Sequence, residues 1–181
     1  MIDPNVGADS KPKQISRPCY IQMQMPQTPS PEEALAASGF TLPQLPAPGG
    51  NYLSAKRAGP ILYLAGVVST SPGGVITGAC GLNCSIDEGY AAARACALTQ
   101  LAVLKSHLAS LDEIAGILAV NGYVNAVPGF PDSPKVINGA SDLLVEVFGE
   151  AGRHVRAAIG VSSLPRNALV ELQMVVEIHP R

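Results

Sequence analysis

The stretch SIDEGYAAARACALTQLAVLKSHLASL, residues 85–111, decides the fold. Ser85 and Glu88 have the spacing of a capping box, which predicts a helix that begins near Ile86. Apolar side chains then recur at steps of three and four residues and so share one stripe of the helix: Tyr90, Ala93, Ala97, Leu101, Leu104, Leu108 and Leu111. A stripe of this length has to be buried, and we expect it to lie on a sheet.

The chain after this helix has the order strand, then helix. Residues 114–124 are mainly apolar and predict a strand. Ser133 and Pro134 supply a capping residue and a proline at a helix start, and the segment runs as a predicted second helix through Phe148, with a stop near Gly149 or Gly152.

The C-terminal segment predicts two strands joined by a turn. The first covers about residues 155–161, the turn lies at 164–167, and the last strand covers 168–178. In the last strand, apolar residues alternate with polar ones, and Glu171 stands on the polar side. One side of this strand should therefore face the core.

Two further strand-like segments precede the long helix, at residues 52–58 and 61–69, with a turn at Gly59-Pro60 between them. The order ββαβαββ predicts an α+β fold, in which a mixed sheet is covered on one face by two helices. The other face needs a partner, and a second copy of the chain is the simplest supplier.

The N-terminal part of the chain is predicted to stand apart from this fold. Residues 1–29 are polar and contain prolines, which predicts a flexible extension, and residues 30–181 are predicted to form a single domain. Within that domain, Ser30-Pro31-Glu32-Glu33 predicts a short helix that ends at Gly39. The proline-rich residues 41–50 should run extended as a linker.

Composition argues against several classes of partner. The 12 basic and 14 acidic residues give a net charge of −2, so we expect no nucleic acid and no anionic membrane as partners. No window reaches the ~18 uninterrupted apolar residues that span a bilayer, and the N-terminus lacks the pattern of a secretory signal. A cytoplasmic protein is expected.

The four cysteines and three histidines do not have the spacing of a metal site. The cysteines contain no CxxC pair and the histidines are scattered, so no metal is expected. Without a secretory signal, the thiols of Cys80 and Cys84 are expected to stay reduced.

The C-terminal segment resembles a known family. Its Arg156, the later Leu164-Pro165 and Glu171 stand at the offsets of the signature of the RidA family, also called YjgF-like. Further matches occur in order over about residues 30–181: Gly50-Asn51-Tyr52, Leu64-Ala65-Gly66 and the segment 134–139. The early helix and residues 138–154 are similar to a branch described as chorismate-mutase-like by fold.

This resemblance implies an assembly and a reaction. It implies a homotrimer of chorismate-mutase-like subunits with three ligand clefts at the subunit interfaces. The implied reaction is the hydrolysis of amino-acid-derived imines and enamines, such as 2-iminopropanoate, to 2-oxo acids and ammonia. The implied partner is a small carboxylate or imine substrate, and neither a metal nor an organic cofactor is required.

The resemblance also assigns roles to six residues. Arg156 is the clamp for the substrate carboxylate, since a planar guanidinium can make two parallel hydrogen bonds to it. Glu171 orients or deprotonates the attacking water. The others bind substrate: Tyr52 at the pocket mouth, Gly66 by close backbone approach, Asn138 in the cleft wall and Ala158 through its carbonyl. The ordinary alternatives are a surface or interface salt bridge for Arg156 and an exposed strand acid for Glu171. For Tyr52, Gly66 and Asn138 they are a core tyrosine, a turn glycine and a helix-surface amide.

Three departures from the family pattern keep a second hypothesis open. Ala65, Val67 and Ala158 stand where relatives often carry serine, glutamine and cysteine, so the pocket loses polar side chains. The alternative is a non-catalytic trimer that binds a small carboxylate or acts as a chaperone-like protein. Endoribonuclease activity is disfavoured by the near-neutral charge, and chorismate mutase activity by the lack of clustered cations.

Overall fold

The computed structural model describes residues 29–45 and 50–180. The helices and strands in these two ranges are α1 (Pro31–Ala37), β1 (Ala55–Ala58), β2 (Ile61–Leu64), β3 (Val67–Val68), β4 (Thr70–Ser71), β5 (Gly74–Val75), α2 (Ile86–His107), β6 (Ile114–Asn125), α3 (Ser133–Phe148), β7 (Val155–Val161) and β8 (Val170–Ile178). The predicted extension over residues 1–29 lies, except for Pro29, outside the described residues, so the division into an extension and one domain stays a prediction.

The main sheet has the order β1-β2-β8-β6-β7, and β3 pairs with β8 beyond the end of β2. β6 and β7 run parallel, whereas β8 is antiparallel to each of its neighbours, so the sheet is mixed as predicted. The strands β4 and β5 form a separate small hairpin that the predicted order did not contain. Each of them is two residues long, which is too short for a sequence period to reveal.

The predicted first hairpin is correct in place but wrong in its bounds. β1 begins at Ala55 rather than at residue 52, and the segment predicted as one strand over 61–69 is broken between β2 and β3. At the break, the buried Gln100 of α2 donates from Nε2 to the carbonyl oxygens of Ala65 (2.9 Å) and Leu172 (2.7 Å). The Ala65 carbonyl therefore bonds to a helix side chain at the point where the strand is interrupted.

The long helix α2 begins as predicted. The Glu88 amide donates to Ser85 Oγ (3.1 Å) and the Ser85 amide donates to Glu88 Oε2 (2.8 Å), which completes the capping box. The helix ends at His107, earlier than the stripe suggested, and Leu111 lies in a following short 3₁₀ turn. Leu111 is nevertheless fully buried, because the turn folds back onto the same core.

The two long helices cover one face of the sheet, as predicted. Gly139 of α3 lies so close to the Tyr90 carbonyl of α2 that a Cβ atom there would collide with it. On β6, Gly122 leaves room for the side chain of Ile137 of α3. The absence of a side chain at these two glycines thus lets α3 pack closely on both α2 and the sheet.

The other face of the sheet exposes apolar side chains. Val155 and Ile159 of β7 are 73% and 50% exposed, and Tyr63 of β2 is 51% exposed. Exposed apolar side chains that gather on one face are typical of a surface that packs against another protein.

None of the helices in residues 29–45 and 50–180 is both long and apolar enough to cross a membrane.

Candidate functional site

A cleft of about 840 Å³ opens beside the break between β2 and β3. Three of the predicted site residues, Tyr52, Gly66 and Glu171, line it together. The polar side chains of the lining are Tyr52, Ser54, Thr70, Thr99, Arg166 and Glu171, and most of the other lining residues are apolar: Leu45, Ala65, Val67, Val68, Val103 and Pro165. The structure thus gathers residues from five parts of the sequence around one carboxylate.

The carboxylate of Glu171 is half-buried in this cleft. Strand alternation turns it away from its neighbours Val170 and Leu172, which are fully buried. In the described parts of the chain, no hydrogen bond or ion pair to this carboxylate is found. Burial raises the pKa of Glu171 above its ordinary value of 4.5, since partial desolvation disfavours the charged form. A carboxylate in this state accepts a proton more readily than an exposed one.

Gly66 forms the wall directly against Glu171. A Cβ atom at position 66 would overlap Oε1 of Glu171, and its φ lies outside the left-handed region, so alanine fits the backbone but not the space. The position of Glu171 is therefore a physical reason for a glycine at position 66. Its role toward a ligand stays a prediction.

Gly66→Ala should reduce any activity that depends on the Glu171 carboxylate, because the new methyl group forces that carboxylate to turn. A displacement of ~1 Å at a reacting group costs roughly 100-fold in rate, and we expect a loss of that order with little change in melting temperature. Gly73→Ala is the matched control, since a Cβ there meets only Ser71 Oγ at 3.7 Å. Unchanged kinetics of Gly66→Ala would mean that the position of Glu171 does not matter.

The departures at Ala65 and Val67 fall in the cleft wall. Their small apolar side chains face the same space as Glu171, and Tyr52 stands at the mouth with 53% of its surface exposed. The edge of the cleft is therefore more apolar than serine and glutamine would make it.

The other predicted site residues form a second cluster on the edge strand β7. Arg156 donates from Nη1 to Asn138 Oδ1 (2.8 Å) and Ser141 Oγ (3.0 Å), both on α3, and from Nη2 to the Pro134 carbonyl (3.4 Å). Ala158 follows two residues later on the same side of β7 and is partly buried. The guanidinium is exposed yet held in one orientation by three acceptors.

The two clusters are apart within one chain. Arg156 pairs with Val120 of β6 and Glu171 with Tyr123 of the same strand, so β6 separates them. Arg156 and Glu171 are therefore separated by roughly 10 Å across the sheet, which is two strand spacings, and by roughly 10 Å along the strands, which is an offset of three residues. In addition, Arg156 turns toward α3 whereas Glu171 points to the other side of the sheet, and Arg156 is not among the residues that line the cleft.

Sequence reasoning missed several polar residues beside these clusters. Arg166 lines the cleft from the turn before β8, where it and Asn167 have φ of 59° and 56°. Ser54 lines the cleft and lies 3.0 Å from His107 Nε2. An irregular turn has no period from which the direction of Arg166 could be read. Ser141 could have been found, because it stands three residues after Asn138 on the same helix face.

Within residues 29–45 and 50–180, no group of three or more His, Cys, Asp or Glu side chains could hold a metal ion. Cys80 is buried, and burial raises the pKa of its thiol to about 11, which keeps it protonated at neutral pH.

Comparisons with known proteins place this geometry in context. The family described as "YjgF/chorismate mutase-like, putative endoribonuclease" matches residues 32–178. Protein TCP17 of Trypanosoma cruzi is 41% identical over 143 residues, which are 78% of this chain and 89% of that protein.

Two solved structures are similar in both sequence and fold. The protein Atu1372 of Agrobacterium tumefaciens, of unknown function, is 40% identical with a TM-score of 0.76, over 82% of this chain and 94% of that one. A protein of Shewanella oneidensis MR-1, described as a putative endoribonuclease, is 35% identical with a TM-score of 0.80, over 83% of this chain and 100% of that one.

Proposed function

Because the chain belongs to the YjgF/chorismate-mutase-like family, we propose that it hydrolyses amino-acid-derived imines and enamines to 2-oxo acids and ammonia. The observation that carries this proposal is the pair of clusters at Arg156 and Glu171. One supplies an oriented cation for a carboxylate, and the other supplies a half-buried carboxylate with a raised pKa in an apolar cleft. A 2-imino acid needs both, because it has a carboxylate to bind and an electrophilic carbon to attack.

The proposed site forms between neighbouring copies of the chain. Arg156 and Glu171 lie on different sides of the sheet within one chain, so a substrate that touches both has to meet them on two chains. The apolar side chains exposed on the uncovered face, such as Val155 and Ile159, support such packing. We propose a homotrimer, and a monomer in light scattering would contradict it.

In the proposed reaction, Arg156 binds the substrate carboxylate and Glu171 accepts a proton from water. The water oxygen bonds to the C=N carbon, the electron pair of the C=N π bond moves to nitrogen, and Glu171 passes the water proton to that nitrogen, which gives a carbinolamine. Glu171 then takes the hydroxyl proton and transfers it to the amine, so the C–N bond breaks, ammonia leaves and the carbonyl forms. An enamine first takes a proton on its β carbon and loses one from nitrogen, which gives the same imine. The carbonyl of Ala158 is the proposed acceptor that orients the water.

The apolar character of the cleft wall should influence which imines are preferred as substrates. The side chains of Ala65 and Val67 offer no hydrogen bond, and with Val68 and Val103 they leave an apolar surface near Glu171. Burial of each additional methylene is worth ~0.8 kcal/mol, or about a fourfold gain in binding. We therefore propose that imines with longer apolar side chains are preferred over 2-iminopropanoate.

The proposal is tested by generating imino acids with an amino-acid oxidase and trapping the surviving imine with semicarbazide. The protein should accelerate imine loss, and its kcat/KM should rise from the alanine-derived to the leucine-derived imine. Heat-inactivated protein is the control. If no imine in the series is hydrolysed faster, the proposed activity is wrong.

The second candidate function is binding without turnover. It is favoured by Ala65 and Val67, which remove polar side chains from the cleft wall. Titration with pyruvate separates the candidates: a protein that binds pyruvate but hydrolyses none of the imines is a carboxylate-binding protein. RNA cleavage, suggested by the names of the family and of the Shewanella relative, is not favoured, since none of the lining residues of the described cleft is a histidine.

A further inference from the structure

A chain of hydrogen bonds runs from the backbone of the turn before β7 to the guanidinium of Arg156. The Gly152 carbonyl oxygen lies 2.7 Å from His154 Nδ1, His154 Nε2 lies 3.0 Å from Ser141 Oγ, and Ser141 Oγ lies 3.0 Å from Arg156 Nη1. Ser141, His154 and Arg156 also line a small surface pocket of about 240 Å³, so their contacts lie at the surface and not in the core.

The chemistry of the four groups fixes the direction of each hydrogen bond. A carbonyl oxygen only accepts, so His154 must carry its proton on Nδ1. A guanidinium only donates, so Ser141 Oγ accepts from Arg156. The hydroxyl hydrogen of Ser141 is then free to donate to the unprotonated Nε2 of His154. With a neutral imidazole, every donor in this chain of hydrogen bonds, including the Ser141 hydroxyl, has an acceptor within it.

We propose that Ser141 and His154 are positioning residues for the Arg156 carboxylate clamp, and that they hold it most firmly while His154 is neutral. This inference rests on the proposed function, since it assumes that Arg156 binds a carboxylate. Protonation of Nε2 makes His154 a second donor to Ser141 Oγ, which leaves the hydroxyl hydrogen without its acceptor. It also places an imidazolium beside a guanidinium.

The charges around His154 oppose protonation on balance. Burial and the nearby Arg156 lower the pKa of His154 from its ordinary value of 6.5, although the Gly152 carbonyl acts in the opposite direction. Arg153 and Asp142 line the same pocket. Arg153 is paired with Glu150 at 2.9 Å, and Asp142 accepts from Tyr90 Oη at 2.8 Å, so these charges have partners of their own. The clamp should therefore persist at neutral pH and weaken only as the pH falls below the ordinary imidazole pKa of 6.5.

The experiment measures the dissociation constant of pyruvate by ligand-detected NMR between pH 5 and 8. It uses the Glu171→Gln background, so that titration of Glu171 does not contribute. We expect affinity to fall several-fold on the acid side and to be lowered by ~10-fold at pH 7.5 in Ser141→Ala, which removes a charge-assisted hydrogen bond. Ser141→Thr keeps the hydroxyl and should keep the affinity.

His154→Gln supplies the sharper test. Its amide oxygen can accept from Ser141 without titrating, so the affinity at pH 7.5 should be kept and the acid loss should disappear. The ¹⁵N shifts of the His154 ring should report the Nδ1–H tautomer and a pKa below 6.5. A matched control is Ser106→Ala on α2, whose hydroxyl bonds only to Val103 of its own helix.

The outcomes separate this inference from the proposed function. If Arg156→Ala binds pyruvate as well as the parent does, the clamp itself is wrong. If Arg156→Ala loses binding while Ser141→Ala keeps the parental affinity, or His154→Gln keeps the acid loss, only the positioning role is wrong.

Discussion

Replacement of Arg156 by alanine should lower kcat/KM for a 2-imino acid by about 100-fold or more. The side chain is the oriented cation of its cluster, and loss of one partner of a hydrogen-bonded charge pair costs 2–5 kcal/mol. Most of the effect should appear in KM, because the carboxylate is bound both before and during reaction. Stability should change little, since Arg156 is exposed.

Arg57→Ala is the matched control for this prediction. It removes the same charge, and Arg57 is an exposed residue of β1 that donates from Nε to the Gly59 carbonyl (2.9 Å) rather than to the cluster on α3. We expect its kcat/KM to stay within about twofold of wild type, because surface substitutions away from a site have small effects. Arg156→Lys should recover only part of the rate, since an ammonium cannot form two parallel hydrogen bonds. Equal losses in Arg156→Ala and Arg57→Ala would indicate a general charge effect instead.

The elements that the sequence predicted well have a strong local cause. The start of α2 follows from the capping box at Ser85, and the span of β7 agrees with the prediction at both ends. The interruption between β2 and β3 could not be predicted, because its cause is Gln100, 35 residues away along the chain from Ala65. The sequence around Ala65 does not indicate that a helix side chain donates a hydrogen bond to the Ala65 carbonyl.

The sequence predicted the residues of the Arg156 and Glu171 clusters better than it predicted how the two clusters are arranged. The alternation in β8 placed Glu171 on the side away from the core, and resemblance linked it with Arg156. Arg156 and Glu171 lie on different sides of the sheet. This arrangement depends on the strand order, which a single sequence does not give. The same holds for His154, whose contact with Ser141 joins a turn to a helix 13 residues away.

Glu171→Gln should lower kcat by about 100- to 10,000-fold, the usual contribution of a general base. The same change should raise the melting temperature at pH 7.5. The pKa of Glu171 is raised on folding, so the ionised carboxylate costs folding free energy above that pKa, and this cost vanishes below the ordinary value of 4.5. The gain in melting temperature should therefore disappear at pH 4. Glu177→Gln, on the same side of β8, is the control that should alter neither kcat nor this pH dependence.

Mixing the two inactive variants tests whether one active site draws on two chains. The Arg156→Ala and Glu171→Gln chains are unfolded and refolded together in equal amounts. A site between neighbours is then intact when an Arg156→Ala chain supplies its Glu171 and a Glu171→Gln chain supplies its Arg156. Random assembly places both intact residues in about one quarter of the sites, so about one quarter of the wild-type rate should return. Each variant refolded alone should stay inactive. If both residues acted within one chain, every site would lack one of them and the mixture would stay inactive too, which would refute a site shared between copies.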